Sequence, residues 1–437
     1  MKDPVIIVGG GWSGLSAAIS LLENKIPVTL LEAAPELGGR ARAIPFKEQT
    51  VDNGQHLFLG GYRGLKQILA KLNIDPEQCF IRKPLTLLIK SASKQSVHLQ
   101  FKKIPSPFHA LWGLMNTKGI TFTDKIRALN LSKDCYQQYI AKNDISVKTL
   151  LQHTDQSQHL TRFLWDPLCL ASLSTPSHLA SSEIFLNVLN EIFKRPTSNS
   201  DFMFASKDLS TIFPNPAKQA IHKLGGHIHT HKRAKRLLVE NNQCIGVQTQ
   251  HETFFSKQVI LAIPPDQALT LLNDHAELLP LTSSLTNFTY ETITTIYCQY
   301  PETVRLGKEM IGLVGTLSQW VFDRQFVKQP GLMAVVITGN GPHHKMDNHT
   351  LIEVIAQELH EHFDSIPPLP IASRVIREKR GAFSSHVGIN AYRPQNKTLL
   401  PGLFLAGDYT QTGYPASIES AVQSGLTCAH LVNNEVK

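Results

Sequence analysis

A cluster of polar side chains, Asp52, Asn53, Gln55 and His56, surrounds Gly54 and is followed by an apolar run and two more glycines. Histidine changes its charge near neutral pH, and a nearby carboxylate can orient its ring, so this set could transfer protons. The same residue types also make polar turns that have no chemical role. The helices and strands predicted on either side of the cluster indicate whether it is a simple turn or the edge of an active site.

The amino-terminal residues have the order that a dinucleotide site requires. Residues 5–8 predict a buried strand, residues 15–22 are apolar at helical spacing, and residues 27–31 predict a second strand that ends at Glu32. The loop between the first strand and the helix contains the predicted binding residues Gly9, Gly11, Ser13 and Gly14. Such glycines allow a tight turn, a close approach to a pyrophosphate and close helix packing, and the acid can bind the adenosine ribose. We therefore predict a dinucleotide-binding α/β domain.

A second group of residues favours FAD as the dinucleotide. Gly38, Gly39 and Arg40 follow Glu32, which would place two flexible positions and a permanent cation beside a diphosphate. This combination resembles the flavin amine oxidase and phytoene desaturase superfamily. The resemblance implies an FAD cofactor and an α/β fold, with a Rossmann-like FAD-binding domain of the flavin amine oxidase type and an inserted α+β substrate domain. The alternative is a surface turn with a solvated arginine.

The carboxyl-terminal residues resemble the same superfamily. Residues 403–406 predict a strand, Gly407 and Asp408 follow it, and a helix is expected to begin near Pro415. The resemblance implies that Asp408 lies beside the ribityl chain and the pyrophosphate. It also implies that the backbone at Ile418 directs the positive end of the helix at the flavin pyrimidine ring.

The histidine-containing segment 225–240 resembles the strand whose backbone holds the adenine in this superfamily, with Ala234 at the contact. Within it, His227, His229 and His231 alternate and would share one face of a strand. Three imidazoles could bind zinc, but no acidic fourth ligand is evident and the implied chemistry is redox chemistry. We therefore expect a solvated strand face and no metal site.

Two motifs resemble a narrower family. The sequence DNGQHLFLGGY, which contains the polar cluster, and WDPLCLASLSTP at residues 165–176 are similar to the hydroxysqualene dehydroxylases. Ser174 stands where that family is expected to have asparagine. The resemblance covers essentially the whole chain. It implies reduction of hydroxysqualene to squalene, in squalene and hopanoid biosynthesis, with hydride from N5 of reduced flavin and loss of water.

The resemblance also implies roles for the polar cluster beside the flavin ring. Gly54 would let the backbone approach the ring, and His56 would be the proton donor, with Asp52 as an orienting carboxylate. The alternative is a hydrogen-bonding network that holds the flavin and does no chemistry. Because no second nucleotide fingerprint occurs, the electrons must come from an external donor.

Three competing functions remain open from the sequence. A carotenoid or phytoene desaturase would oxidise a similar polyisoprenoid, but the two narrower motifs argue against it. A flavin amine oxidase usually has an aromatic residue at the position that matches Ser417, so serine there argues against that activity. A flavin-dependent binding or assembly factor would be a protein without enzymatic activity.

The composition indicates a globular protein with room for two or three domains, since 437 residues are 42% hydrophobic and 18% charged. The formal net charge of +8 favours acidic partners, but no nucleic-acid-binding pattern is evident, so no nucleic-acid partner is expected. The cysteines are Cys79, Cys135, Cys169, Cys244, Cys298 and Cys428. Their wide spacing favours buried reduced thiols in a cytoplasmic protein.

The FAD-binding domain is expected to be discontinuous, formed by residues 1–80, 200–270 and 375–437, with the substrate domain formed by 81–199 and 271–374. The first insert reads as mostly helical, for example at 123–141 and 181–195, and the second begins with a strand near residues 290–300.

One predicted helix, within residues 104–115, has an apolar face and follows two lysines at positions 102 and 103. The face consists of Phe108, Leu111, Trp112 and Met115. No run of 18 apolar residues could span a bilayer, so a squalene-sized substrate must come from a membrane surface or from a partner enzyme of the squalene pathway. The face would then make a peripheral contact at the inner face of the cytoplasmic membrane. The alternative is that it packs into the substrate domain.

Overall fold

The computed structural model of the protein describes residues 3–131, 143–193 and 196–436. Its α-helices are Trp12–Glu23, Arg63–Lys71, Pro76–Cys79, Phe108–Met115, Phe122–Asn130, Val147–His153, Gln158–Leu160, Asp166–Leu173, Ser182–Phe193, Thr197–Ser200, Leu209–Ile212, Pro214–Lys223, Pro265–Leu272, Leu279–Leu285, Asn348–His362 and Ile418–Val436. A π-helical turn spans Thr161–Trp165, and short 3-10 helices span Ala276–Leu278, Arg324–Val327, Pro342–His344 and Ile389–Tyr392.

A five-stranded parallel sheet contains the predicted amino-terminal strands. In spatial order its strands are His227–His229, Val28–Leu31, Val5–Val8, Val259–Leu261 and Leu403–Leu405. One face packs on helices that include Trp12–Glu23 and Ile418–Val436. The other face packs on a three-stranded antiparallel sheet formed by Arg236–Glu240, Gln243–Gln248 and Thr253–Phe255. Because both faces are covered, the four strands other than the edge strand His227–His229 are fully buried and mainly apolar, as the sequence predicts for Val5–Val8 and Val28–Leu31.

The carboxyl-terminal helix begins later than the sequence indicates. It starts at Ile418 and not near Pro415. The side chain of Ser417 accepts a hydrogen bond from the Ser420 backbone N–H at 3.1 Å, so serine caps the helix and proline lies in the preceding loop.

A seven-stranded mixed sheet forms the second layer. In spatial order its strands are Ala372–Phe383, Tyr290–Gln299, Leu332–Thr338, Trp320–Asp323, Met310–Val314, Thr86–Ser91 and Ser96–Gln100. The helix Asn348–His362 covers one face through residues such as Leu351 and Ile355. The other face, with Tyr297 and Trp320, packs in the core that also contains helix Ser182–Phe193. The predicted strand near 290–300 and the predicted helix near 181–195 are therefore confirmed over the described residues.

The expected domain boundaries stay a prediction. The strands of the parallel sheet all fall within the segments expected to bind FAD, whereas strand Ala372–Phe383 runs across the expected boundary at residue 375. The first insert also opens with strands and not with helices, since Phe80–Lys83, Thr86–Ser91 and Ser96–Gln100 precede its first helix. Two further small sheets pair Ala43–Phe46 with Gln49–Asp52, and Phe58–Leu59 and Phe80–Lys83 with Phe202–Ala205.

Some expectations fall outside the described residues. The helix predicted over residues 123–141 is described only as Phe122–Asn130, and Cys135 lies in the part that is not described. The five described cysteines are all buried and unpaired. Within the described ranges, no helix has the length and apolar character needed to cross a bilayer.

Candidate active site

The glycine loop after strand Val5–Val8 is built for close packing at two positions and for open space at the third. A Cβ on Gly9, which has φ +110°, would lie 2.4 Å from the carbonyl oxygen of Ala262. A Cβ on Gly14 would lie 2.0 Å from the Gly9 carbonyl oxygen, but one on Gly11 would meet no atom within 4 Å. The outer glycines therefore hold helix against strand, while Gly11 leaves room beside the loop.

The helix that follows this loop presents its first turn without a competing side chain. Helix Trp12–Glu23 has Gly11 at its N-cap, no capping side-chain hydrogen bond and no acidic residue in its first turn. The first backbone N–H groups of a helix, here including that of Ser13, have no partner within the helix and attract anions. This end of the cavity therefore suits a phosphate group.

Glu32 is held at the end of its strand by backbone donors. Its carboxylate accepts hydrogen bonds from the N–H of Gly10 at 2.6 Å and from the N–H of Ala34 at 2.7 Å. Each oxygen of the Glu32 carboxylate can accept a second hydrogen bond. Since Glu32 lines the cavity, its carboxylate is a fixed hydrogen-bond acceptor there.

Ala234 lines the same cavity from the loop between strands His227–His229 and Arg236–Glu240. The resemblance placed Ala234 in a strand, and this was wrong, because the next strand begins two residues later, at Arg236. His231 also lies beyond the strand, in a left-handed conformation with φ 57°. The three alternating histidines therefore do not share one strand face.

Arg40 and Asp408 form an ion pair in which Arg40 Nη2 lies 2.7 Å from Asp408 Oδ1. Gly38 and Gly39 precede the arginine with φ angles of +106° and +59°, which favour glycine. The aspartate follows the strand Leu403–Leu405, and its side chain is only 7% exposed. The fold therefore joins two predicted cofactor residues that lie far apart in the sequence, and each fixes the orientation of the other.

Asn53 joins the polar cluster to the arginine segment. Its side-chain oxygen accepts from the Arg42 N–H at 3.0 Å, and its amide nitrogen donates to the Arg40 carbonyl at 3.0 Å. Gln55 is held in turn by Arg324, whose guanidinium donates to the Gln55 side-chain oxygen. Asn53 and Gln55 therefore stabilise the loop that borders the cavity.

Asp52 also has a supporting contact. Its carboxylate accepts a hydrogen bond from the Leu209 N–H at 2.7 Å, and its carbonyl accepts one from the Tyr297 hydroxyl at 2.9 Å. Burial raises the pKa of the Asp52 carboxyl to about 7. Among the described residues no hydrogen bond joins Asp52 to His56, so the contact expected between carboxylate and imidazole is not formed.

His56 is the member of the cluster that faces the cavity with an unsatisfied atom. Its Nε2 is buried and has no hydrogen-bond partner within the described ranges, and burial lowers its pKa to about 4. The ring is therefore neutral at neutral pH. A Cβ on Gly54 would lie 3.7 Å from both His56 Nε2 and Thr295 Oγ1, so glycine leaves this side of the imidazole open.

The cavity that these residues border has a volume of about 830 Å³. Beyond the glycine loop its lining becomes apolar. The apolar part of the lining includes Leu85, Leu87, Leu168, Val188, Ile192, Phe202, Met310, Trp320, Phe322 and Val336. Several of these residues come from neighbouring strands of the mixed sheet, which the sequence analysis did not predict.

The segment WDPLCLASLSTP contributes to the chamber wall. A π-helical turn, Thr161–Trp165, leads into helix Asp166–Leu173, and Ser174 closes that helix with φ 53°. Both Leu168 and Ser174 line the cavity. Asparagine tolerates the left-handed conformation better than serine, which gives a physical reason for the asparagine expected at this position.

Arg393 is a supporting residue that the sequence reasoning missed. It is 2% exposed, and its guanidinium donates to the carbonyl oxygens of Asp408 at 3.0 Å, Thr410 at 2.9 Å and Tyr414 at 2.7 Å. It thereby folds the loop that connects Asp408 to helix Ile418–Val436. A lone arginine in a loop carries no sequence pattern that would predict this role.

The residues present fit an FAD cofactor. The uncapped helix N-terminus and Gly11 would hold the pyrophosphate, and Glu32 would bind the ribose. At the other end, Asp408 and the first turn at Ile418 line the cavity. Two buried lining atoms, His56 Nε2 and Tyr409 Oη, have no partner in the described part of the chain. Native proteins rarely leave such atoms unsatisfied, so a bound group is expected to contact them.

The chain is similar to known enzymes over nearly its whole length. The hydroxysqualene dehydroxylase of Zymomonas mobilis is 23% identical over 430 residues, which cover 97% of this chain and 98% of the relative. That of Sinorhizobium fredii is 26% identical and covers 100% of this chain and 99% of the relative. The 15-cis-phytoene desaturase of Arabidopsis thaliana is 22% identical, covering 98% of this chain and 79% of the relative.

The fold is similar to that of solved oxidases and oxidoreductases. Cyclohexylamine oxidase from Brevibacterium oxydans superposes with a TM-score of 0.71 at 14% sequence identity, over 100% of this chain and 99% of that chain. The family described as flavin containing amine oxidoreductase matches residues 12–433. The chain therefore belongs to the flavin containing amine oxidoreductase family and is an FAD-dependent oxidoreductase.

Proposed function

We propose that the protein catalyses the reductive dehydroxylation of hydroxysqualene to squalene. The observation that carries the proposal is the apolar chamber beside the cofactor loop, with one buried imidazole, His56, facing it without a hydrogen-bond partner in the described residues. A long hydrocarbon with a single hydroxyl needs such a lining. The similarity to hydroxysqualene dehydroxylases over nearly the whole chain supports the same substrate.

The reaction replaces a carbon–oxygen bond by a carbon–hydrogen bond. It consumes one hydride and one proton, and the hydroxyl leaves as water. When bound, reduced FAD supplies the hydride, and an external donor must restore its two electrons. The allylic position of the hydroxyl lets the developing positive charge spread, so the chain has to exclude water and deliver the proton to oxygen.

His56 is the proposed proton donor. Because burial lowers its pKa to about 4, only about one molecule in 10³ carries the imidazolium at pH 7 in the free protein. The neutral ring can still orient the hydroxyl by a hydrogen bond. Asp52 is assigned a different role from the one first expected, since its contact with the Leu209 N–H supports the loop and does not orient His56.

Apolar residues supply the exclusion of water. Trp320 and Phe322 approach the chamber from the mixed sheet, while Leu168 and Val188 approach it from two helices. A carbocation-like centre held among these side chains would meet few nucleophiles other than the hydride.

The deciding experiment is an anaerobic single turnover. Purified holoprotein is reduced with dithionite and mixed with hydroxysqualene in detergent micelles, while flavin absorbance and squalene are followed. We expect flavin reoxidation with one squalene formed per flavin. Squalene itself serves as the control, because it lacks the hydroxyl. If the reduced flavin reacts with dioxygen but remains reduced with hydroxysqualene, the proposal is wrong.

The second candidate is a phytoene-type desaturase. The similarity to the 15-cis-phytoene desaturase of Arabidopsis thaliana over 98% of this chain favours it. That reaction runs in the opposite redox direction, so oxidised holoprotein mixed anaerobically with phytoene would lose its oxidised flavin absorbance. Bleaching by phytoene, together with no turnover of hydroxysqualene, would select this candidate.

A further inference from the structure

Two neighbouring helices expose large apolar side chains on one part of the surface. On helix Phe108–Met115, Phe108 is 61% exposed and Leu111 is 43% exposed. On helix Phe122–Asn130, which packs against it, Phe122 is 67% exposed and Ile126 is 43% exposed. These four side chains are called the apolar patch. Of the predicted face, Phe108 and Leu111 are therefore exposed, whereas Trp112 and Met115 are half-buried.

The inner side of the first helix explains why it lies with this face outward. His109 is fully buried there, and its ring contacts Phe101 edge-on at 5.3 Å between ring centroids. A Cβ on Gly113 would lie 2.4 Å from the Phe101 ring, so glycine permits this close approach. The helix is therefore anchored through His109 and Gly113, with Leu114 also packed on the core, while Phe108 and Leu111 face solvent.

The segment that carries the patch is rich in basic residues. Residues 101–131 contain Lys102, Lys103, Lys118, Lys125 and Arg127 and a single acidic residue, Asp124. That carboxylate is 4% exposed and serves in a capping box with Thr121. Lys102 Nζ lies 4.1 Å from the centroid of the Trp112 ring, beside the patch. Exposed apolar and aromatic side chains bordered by lysines complement a bilayer whose head groups are anionic.

The patch also lies close to the substrate chamber. The ring of His109 contacts the carbonyl oxygen of Ile192 at 3.3 Å, and Ile192 lines the cavity. Thr197 donates a hydrogen bond to the carbonyl of Ile104, which ties the start of the same segment to the chain that follows this wall. The exposed helix is therefore one layer of protein away from the cavity.

We propose that the apolar patch is a docking surface for an anionic lipid bilayer. The four apolar side chains would enter the acyl boundary, and the lysines would contact lipid phosphates. The proposal rests on the proposed function in one respect, because a bilayer-dissolved isoprenoid explains why an FAD enzyme would place its chamber beside such a surface. The binding itself can be measured without any substrate.

Trp112 provides a direct test in the unmodified holoprotein. The chain has 4 tryptophans, and Trp12, Trp165 and Trp320 are at most 5% exposed. Vesicles of phosphatidylcholine and phosphatidylglycerol with brominated acyl chains should quench the fluorescence of Trp112, and Trp112→Phe should remove that quenching. Phosphatidylcholine vesicles without the anionic lipid should quench less. The absence of quenching and of vesicle flotation in the wild type would overturn the proposal.

Two double variants test whether vesicle binding depends on the patch or on exposed apolar residues in general. Phe108→Ser with Phe122→Ser should weaken flotation with anionic vesicles by about tenfold or more, since each burial of a phenylalanine contributes at least about a factor of ten. The control is Leu369→Ser with Ile371→Ser, which removes two side chains that are 68% and 63% exposed elsewhere.

Further readouts distinguish the outcomes. Both paired variants should keep the wild-type melting temperature, FAD content and turnover in detergent. If the patch variant floats with vesicles as well as the wild type does, the occupant of the patch is not a bilayer. The same conclusion follows if the wild type does not bind vesicles and the variant abolishes dimers that light scattering detects in the wild type. Failure of the hydroxysqualene assay with normal vesicle binding would overturn the proposed function and leave the docking surface intact.

Discussion

The buried guanidinium of Arg393 should control both the stability of the carboxyl-terminal loop and the binding of FAD. It donates to three carbonyl oxygens, those of Asp408, Thr410 and Tyr414, and to the Thr412 hydroxyl at 2.9 Å. Burial lowers its pKa to about 10, so it stays a cation at neutral pH. In Arg393→Met all four acceptors lose a charged donor, although the Asp408 carbonyl still accepts from the Ser420 hydroxyl and the Thr410 carbonyl still accepts from the Thr412 N–H.

The expected magnitude follows from those contacts. Each hydrogen bond from a charged donor contributes about 1.5–3 kcal/mol, and the partners that the acceptors retain, together with water entering the space left by the guanidinium, recover part of that free energy. We therefore expect Arg393→Met to lower the free energy of unfolding by about 3–5 kcal/mol. Arg393→Lys keeps the charge but lacks the planar fork, so it should recover only part of the loss. FAD affinity should fall by about tenfold or more, because each 1.4 kcal/mol lost from the bound state is a factor of ten.

The assay is thermal unfolding of apoprotein and holoprotein together with an FAD titration. Arg236→Met is a suitable control, because Arg236 is exposed on its strand and lies outside this loop. A melting temperature and an FAD dissociation constant for Arg393→Met that match those of the control would refute the reasoning. A stability loss with unchanged FAD affinity would mean that the loop does not need Arg393 to present Asp408.

Three other predictions concern single residues of the site. His56→Ala should retain FAD and lose turnover by about 10²–10⁴-fold. If the imidazolium is the acid, kcat/KM should fall tenfold per pH unit above the His56 pKa of about 4, and a flat profile would exclude that role. For Asp52, the folded pKa of about 7 exceeds the ordinary value of 3.8, so the folded state binds an extra proton between these two values. Stability should therefore decline as pH rises from about 4 to 7 and level off above 7, by at most about 4 kcal/mol in total and about 3 kcal/mol between pH 5 and pH 8. Asp52→Asn, whose amide oxygen can still accept from the Leu209 N–H, should lack this decline in urea titrations at pH 5 and pH 8. Ser174→Gly should relieve about 1–2 kcal/mol of strain in the left-handed backbone conformation and lose about 0.5–1 kcal/mol through the greater entropy of the unfolded chain. Its melting temperature should therefore rise slightly, whereas that of Ser174→Val should fall.

Local sequence determined the cofactor end of this protein. The strand Val5–Val8, the glycines of the following loop and Glu32 lie within one short stretch, and their spacing is set by the chain itself. The same holds for strand Tyr290–Gln299 and helix Ser182–Phe193, whose periodicities identify them without any tertiary contact. The predicted start of the last helix moved to Ile418, because the Ser417 side chain caps that helix and the nearby proline lies in the preceding loop.

The tertiary structure alone decided which polar groups meet. Asp52 lies four residues before His56, yet its carboxylate binds the Leu209 N–H, 157 positions away. Arg40 pairs with Asp408 across 368 positions. No local pattern encodes such partners, because a carboxylate takes whichever buried donor the packed elements bring to it, and burial makes that choice energetically decisive.

Orientation toward core or solvent was likewise decided by packing. The spacing of Phe108, Leu111 and Trp112 predicts one helical face, and it is silent on which way that face turns. Gly113 and His109 on the opposite side fit against Phe101. Phe108 and Leu111 are therefore left exposed, and Trp112 is half-buried. A periodic pattern fixes the angles between side chains on a helix, whereas the neighbours that a helix packs against fix its rotation, and those neighbours come from distant parts of the chain.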